Sequence, residues 1–190
     1  GQVFSNWTGS ISSSQPTLKF RMESNLVLQA HFVPNPYPAW KGTYNGLFTS
    51  SAMPVTPGSS RIGSFTLTVS DKGVASGKLI IAGKSLPFSG LSFDLSGHAR
   101  TSVKRAAPLT PLGLELQVVS ETESGQIRGQ VTSEEGTSEL LSFRQQAVGA
   151  WKGNYTFLAN FNPVDSPSSP PGAGAGSLSL NTTGKIKLVG

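Results

Sequence analysis

The sequence contains no cysteine, and charged residues make up only 13% of its 190 residues. Without cysteine, disulfide bonds and thiolate chemistry are excluded. No apolar stretch approaches the roughly 20 residues of a membrane-spanning helix, so we expect no membrane span. No window of the chain places apolar residues at the three- and four-residue spacing of an amphipathic helix. These absences argue against a helical fold.

Turn-forming and hydroxyl residues are abundant instead, with 22 glycines, 13 prolines and many serines and threonines. This composition is typical of short β-strands joined by turns. The formal net charge is +5, but the basic residues are scattered singly apart from the pair Lys104-Arg105. Nucleic-acid-binding surfaces cluster basic residues and interleave them with aromatic ones. We therefore expect no nucleic-acid partner.

Residues 1–33 are predicted to form strands at 2–7, 17–22 and 25–33, because apolar and polar residues alternate there. This segment also carries a spaced set of residues: Phe4, Trp7, Gly9, Pro16, Leu18, Phe20, Met22, Asn25, Leu26, Ala30 and Phe32. The set resembles the second half of a divergent internalin-type B-repeat. The resemblance implies a small β module of a bacterial cell-surface or secreted protein, with the first half of the module upstream of Gly1.

Prolines at 34, 36 and 38 follow this module. Three prolines in five residues cannot continue a central strand, so residues 34–39 are predicted as a stiff, extended linker. The sequence thus predicts a partial module over 1–33, the linker, a β-barrel-like unit over 40–147 and a truncated second unit over 148–190.

The unit over 40–147 contains eight predicted strands: 41–48, 61–69, 74–82, 84–93, 97–105, 112–119, 126–132 and 137–145. Short glycine-containing turns join most of them, which favours an antiparallel meander. We expect the meander to close as a barrel, since closure removes both sheet edges; a sandwich is the alternative.

The barrel interior is predicted from the alternation of apolar residues along the strands. A glycine bulge at Ser89-Gly90 is expected, because the apolar positions change phase there. The strand at 137–145 is expected to turn Leu141 and Phe143 inward. The residues expected to fill the interior are Phe65, Leu67, Leu79, Leu114, Leu116 and Phe143.

A repeat opens the second unit. The motif Trp-Lys-Gly-x-Tyr at 40–44 recurs 111 residues later, at 151–155, and is followed by about three predicted strands. The motif resembles uncharacterised β-repeat units of large secreted bacterial proteins. Residues 162–175 are of low complexity and are expected to be a poorly ordered surface loop. The strands after Trp151 are expected to leave an unpaired edge or to dock on the barrel.

The repeated aromatic residues are the candidate ligand contacts: Trp40, Tyr44, Trp151 and Tyr155. The alternative is that they pack the end of each unit. His31 and His98 are isolated, and the acids lie mostly in predicted turns, so we expect no catalytic residues, no metal site and no cofactor.

The sequence therefore predicts a non-catalytic segment of a bacterial cell-surface or secreted repeat protein, with a structural spacer or adhesion role. The alternative is a binding module that holds a small apolar ligand or a glycan in the barrel or at its rim. We expect the partners to be neighbouring domains of the same polypeptide, with a glycan or a surface protein as further candidates.

Overall fold

The chain is almost entirely β-structure. The computed structural model describes residues 1–50, 59–119, 125–145, 152–159, 174–181 and 186–189. It divides into two compact units, residues 1–145 and 146–190. None of the helices in these described ranges is long and apolar enough to cross a membrane.

The first sheet has two antiparallel strands, β1 (Gln2–Gly9) and β2 (Leu28–Pro34). The ring of Phe4 contacts the rings of Trp7 and Phe32 on this sheet. The strand predicted at 17–22 is absent from this described segment: these residues are irregular, and Met22 is 79% exposed. Alternation alone does not make a strand where no neighbouring strand receives its backbone hydrogen bonds.

The predicted extended linker is also different in the structure. β2 runs through Pro34, and a single helical turn, α1 (Tyr37–Trp40), follows. Pro36 has α-helical backbone angles (φ −80°, ψ −21°) and Pro38 lies in the first turn. A helix tolerates proline there because its first N–H groups have no partner within the helix. The prolines therefore start a helix instead of extending the chain.

Eight strands then form one antiparallel sheet: β3 (Gly42–Thr49), β4 (Gly63–Val69), β5 (Val74–Ile81), β6 (Lys84–Ser92), β7 (His98–Val103), β8 (Leu112–Val119), β9 (Gln126–Ser133) and β10 (Gly136–Arg144). All eight coincide closely with the predicted strands. The strand order is β6-β5-β4-β3-β10-β9-β8-β7, so the first and last strands of the meander pair with each other. This nearly closed barrel confirms the predicted fold.

The sheet leaves one seam, between β6 and β7, which are the two ends of the strand order. Pro87 lies in β6, at the edge of the sheet. Proline is confined to such edges because it cannot donate a ladder hydrogen bond. The bulge predicted at Ser89-Gly90 is confirmed: Gly77 pairs with Phe88 and Ala75 with Leu91, and Gly90 has φ +72°.

The barrel interior is filled with large apolar side chains. Five of the six residues predicted to fill it are at most 2% exposed: Phe65, Leu67, Leu79, Leu114 and Leu116. The whole of β8 alternates as expected, with Leu112 and Val118 also buried. The rings of Phe65 and Phe88 stack at a centroid distance of 6.3 Å.

The prediction for β10 was wrong in its phase. Phe143 is 52% exposed and Leu141 is 42% exposed, whereas Ser138, Leu140 and Ser142 point inward and are buried. The inward serines donate hydrogen bonds to backbone carbonyls, Ser142 to Ile127 at 3.0 Å. Small, hydrogen-bonded residues therefore face the core along this strand, and its apolar pair faces outward.

The second unit contains a three-stranded antiparallel sheet: β11 (Gly153–Ala159), β12 (Gly174–Leu180) and β13 (Ile186–Val189). β12 is the central strand. Of the loop predicted at 162–175, residues 162–173 lie outside the described residues, and the last two residues belong to β12. Trp151 also lies outside the described residues.

Candidate functional site

Trp40 closes one end of the barrel. It is the last residue of α1, and its side chain is 8% exposed. Its ring packs edge-on against Tyr37 and Phe93, with centroid distances of 5.5 and 6.3 Å. Gly97 lies close by, since a Cβ added there would come within 3.6 Å of the indole. α1 thus acts as a plug over the core.

Tyr44 and Arg144 tie this plug to the barrel. The hydroxyl of Tyr44, which is fully buried, donates to the carbonyl of Trp40 at 2.7 Å. Arg144, at the end of β10, donates from Nη2 to the same hydroxyl at 2.9 Å and also to the carbonyl of Ala39. Its guanidinium carbon lies 5.5 Å from the centre of the Tyr44 ring. We call Arg144, Tyr44 and the two carbonyls the arginine latch.

The structure brings two of the four predicted ligand residues together, Trp40 and Tyr44, and both lie in the core. Tyr155 lies in β11 of the second unit and is 43% exposed. Trp151 falls outside the described residues. The role of these four residues as ligand contacts stays a prediction. The positions of Trp40 and Tyr44 match the packing role that was the alternative for them.

A turn at the same end carries a perturbed carboxyl group. Asp94 Oδ1 accepts hydrogen bonds from the Ser96 amide at 2.9 Å, the Ser96 hydroxyl at 2.7 Å and the His98 amide at 2.9 Å. Burial by itself raises the pKa of Asp94, but these hydrogen bonds outweigh it and bring the pKa below its ordinary value. Burial and the nearby Asp94 charge raise the pKa of Tyr37.

Glu135 holds a loop at the opposite end of the barrel. Its carboxylate accepts a hydrogen bond of 2.5 Å from the Ser59 hydroxyl and a longer one, 3.4 Å, from the Ser60 amide. The hydrogen bond from Ser59 is the main reason why the pKa of Glu135 is lowered. Glu135 thus fastens residues that are themselves buried. Its carboxylate has a structural partner, which accounts for its position without catalysis.

The two histidines lie on strands of different sheets. Nε2 of His31 lies 2.7 Å from the Thr8 hydroxyl on the neighbouring strand of the first sheet. His98 lies in β7 and is exposed. Among the residues that the structure describes, no three or more histidine, aspartate and glutamate side chains are grouped so that they could hold a metal ion.

A groove of about 950 Å³ lies on the outer face of the barrel wall. It crosses β3, β10, β9 and β8, and its exposed apolar residues are Leu47, Leu141 and Phe143. Leu47 and Leu141 are direct cross-strand partners. Three large apolar side chains, between 42% and 67% exposed, therefore lie side by side on an outer surface.

Polar side chains surround this apolar floor: Thr49, Gln117, Arg128, Gln130 and Glu139. The amide nitrogen of Gln117 donates to the carbonyls of Ser96 and Val118, at 3.0 and 2.9 Å, which fixes that side chain. Leu141 pairs with Arg128 and Glu139 pairs with Gln130, so polar and apolar residues alternate across the strands. We call this surface the outer groove.

Two inward-facing glycines, Gly46 and Gly129, lie among the residues of the outer groove. A Cβ at Gly46 would lie 2.1 Å from the carbonyl oxygen of Leu141, and one at Gly129 would lie 2.1 Å from that of Glu115. Both contacts are far shorter than a real Cβ could make, so only glycine allows the neighbouring strands to approach this closely.

Sequence reasoning missed the outer groove because it placed Leu141 and Phe143 in the core. A signal was present: residues 139, 141 and 143 share one face of the strand, and residue 139 is a glutamate. Turning this face inward would bury a carboxylate without a partner, which costs several kcal/mol. The charge of Glu139 therefore indicates an outward face.

No protein-family model matches the chain, and neither the curated proteins nor the solved structures contain a match.

Proposed function

We propose that this chain is a non-catalytic module of a bacterial cell-surface or secreted repeat protein, and that the module serves in adhesion. The observation that carries the proposal is the place where the chain enters and leaves the barrel. Both points lie at the same end. The sequence resemblance of residues 1–33 to an internalin-type B-repeat supports the surface location.

The arginine latch shows how close these two points are. β3 begins just after Trp40, and β10 ends at Arg144, which pairs with Tyr44. The amide of Gln145 donates to the carbonyl of Thr43 at 2.7 Å. A barrel attached at one end adds little to the length of a polypeptide string. A module that adds so little length would be a poor spacer, which favours adhesion over spacing.

The filled interior argues against the alternative, in which the barrel holds a small apolar ligand. Eight-stranded barrels can either pack their interior with side chains or leave room for one ligand. Here the aromatic and aliphatic side chains of Tyr44, Phe48 and Phe65 are at most 1% exposed, and Trp40 covers one end. A ligand would have to displace these side chains.

The test is attachment of the 190-residue chain to surfaces. Beads coated with the chain should adhere to at least one member of a panel of bacterial and eukaryotic cells. Control beads carry an unrelated all-β protein of the same net charge, which removes nonspecific electrostatic attachment. Attachment no stronger than that of the control beads on every cell type would refute the adhesion role.

A thermal-shift screen tests the alternative, in which the barrel holds a small apolar ligand. Fatty acids from C8 to C18 should leave the melting temperature of the barrel unchanged, because its interior is occupied. A rise of several degrees, saturable with ligand, would favour the binding-module alternative instead.

A further inference from the structure

We propose that the outer groove binds a neutral polysaccharide chain. This inference rests on the adhesion role proposed above and names the ligand and the surface through which adhesion acts.

The shape of the outer groove fits a chain. It crosses four neighbouring strands, and three strand spacings span roughly 14 Å. Its volume, about 950 Å³, is at the upper end of the range for small-molecule sites, which is more than one sugar ring occupies. The residues that line it all lie in β-strands. The groove therefore does not depend on the rearrangement of a loop.

The floor of the outer groove suits the apolar faces of sugar rings. The carbon-bound hydrogens of a pyranose form a flat apolar face that packs on aromatic and aliphatic side chains. Phe143 offers a ring that is 52% exposed, and Leu141 and Leu47 extend this surface across two strands. Covering these three side chains would remove exposed apolar area from water, at about 25 cal/mol per Å².

The walls suit the hydroxyl groups of the same rings. A hydroxyl both donates and accepts, so it is best met by groups of both kinds. Glu139 accepts, Arg128 donates, and the amide of Gln130 carries one donor and one acceptor group. Placing these planar groups beside an apolar floor gives each face and each edge of a sugar a matching partner.

The charge of the outer groove selects a neutral polymer. The chain as a whole carries +5, which by itself would favour an anionic ligand. The lining of the groove, however, contains one arginine and one glutamate, so its formal charges cancel. A uronic acid or sulfated polymer would meet Glu139 as well as Arg128, so the repulsion from the glutamate offsets the attraction to the arginine. A neutral polymer meets no such repulsion.

The test is retardation of the full 190-residue chain in acidic native gels that contain a polysaccharide. The neutral probes are laminarin, xyloglucan, glucomannan and galactan, and the anionic probes are alginate and dextran sulfate. We expect at least one neutral probe to retard the chain, and the Phe143→Ala variant to weaken that association at least tenfold. The matched control is Leu109→Ala, which removes an equally exposed apolar side chain (52%) outside the groove and should retard normally.

Three results of the gel assay would overturn the proposal. No neutral probe retards the chain; the Phe143→Ala variant is retarded as strongly as the wild type; or an anionic probe binds more tightly than every neutral one. Circular dichroism of each variant checks that it is folded, and Leu141→Ser supplies a second groove variant if Phe143→Ala is not. Sedimentation velocity completes the test: a dimer that Leu141→Ser abolishes would assign the groove to a second copy of the chain instead.

The bead assay distinguishes this inference from the adhesion role. Suppose that wild-type beads attach to cells, that the attachment does not depend on Phe143, and that a neutral polysaccharide does not compete with it. The adhesion role then stands, and the outer groove is not the site of adhesion. If the beads attach to none of the cell types while the gel shows binding that depends on Phe143, the outer groove stands as a polysaccharide site and the adhesion role is wrong.

Discussion

Replacing Tyr44 with phenylalanine should destabilise the barrel by about 3 kcal/mol. The hydroxyl of Tyr44 donates to the carbonyl of Trp40 and accepts from the one guanidinium of Arg144, through Nη2 at 2.9 Å and Nε at 3.2 Å. A neutral hydrogen bond contributes about 1 kcal/mol net, and one from a charged donor about 1.5–3 kcal/mol. Phenylalanine fills the same space, so no cavity term adds to this loss.

The assay is urea denaturation of the full chain, followed by tryptophan fluorescence, since Trp40 lies inside the latch. Arg144→Met removes the charged partner and keeps much of the apolar stem. Because both substitutions break the same contact, the double variant should lose at least 0.5 kcal/mol less than the sum of the single losses. Tyr155→Phe is the matched control: its side chain is 43% exposed, and its change should stay below about 0.5 kcal/mol.

The reasoning about the arginine latch would be refuted by either of two results. One is a Tyr44→Phe variant as stable as the wild type. The other is strict additivity of the two substitutions, which would mean that Tyr44 and Arg144 contribute independently.

Three further predictions concern the wall and the turns of the barrel. Leu140→Ala should cost 2–5 kcal/mol in urea denaturation because Leu140 is buried, whereas Phe143→Ala should cost less than about 1 kcal/mol; the reverse order would contradict the observed phase of β10. Gly129→Ala should lower the melting temperature markedly, since its Cβ would overlap a backbone carbonyl, whereas at Gly113 the nearest contact is an ordinary 3.5 Å and alanine should be tolerated. Because the pKa of Asp94 is lowered in the folded state, its contribution is present above about pH 4 and lost as the pH falls further. Between pH 5 and pH 3, the free energy of unfolding should therefore change less for Asp94→Asn than for the wild type. The difference should be under about 1 kcal/mol, because the carboxylate is exposed to solvent. A steeper pH dependence in the variant than in the wild type would contradict the lowered pKa of Asp94.

Most strands of the barrel could be predicted from the sequence because the positions of the turn residues and the alternation of apolar residues indicate the same strand bounds. β8 is the clearest example: Leu112, Leu114, Leu116 and Val118 alternate without interruption, and the predicted bounds match the observed ones. The bulge at Ser89-Gly90 could be predicted because a glycine coincided with a change of phase. Pairing of the first and last strands followed from the cost of exposed edges.

The phase of β10 could not be read from hydrophobicity because Leu140 and Leu141 are adjacent. Each face of the strand then carries a leucine, so hydrophobicity favours neither face. The buried serines are tolerated in the core because their hydroxyls donate hydrogen bonds to backbone carbonyls. The outer groove was hidden for the same reason. The outer groove also combines residues of β3, β8, β9 and β10, which are far apart in sequence, and their assembly is a property of the closed sheet.

The position of the arginine latch has a mechanical consequence. Tension along the polypeptide would pull on the start of β3 and the end of β10, which are neighbouring strands that run in opposite directions. Such a load peels the two strands apart, so their hydrogen bonds break one after another and never share the force. Arg144, Tyr44 and Gln145 hold the point where peeling starts. The module would thus yield at low force, extend, and protect whatever lies beyond it from a sudden pull.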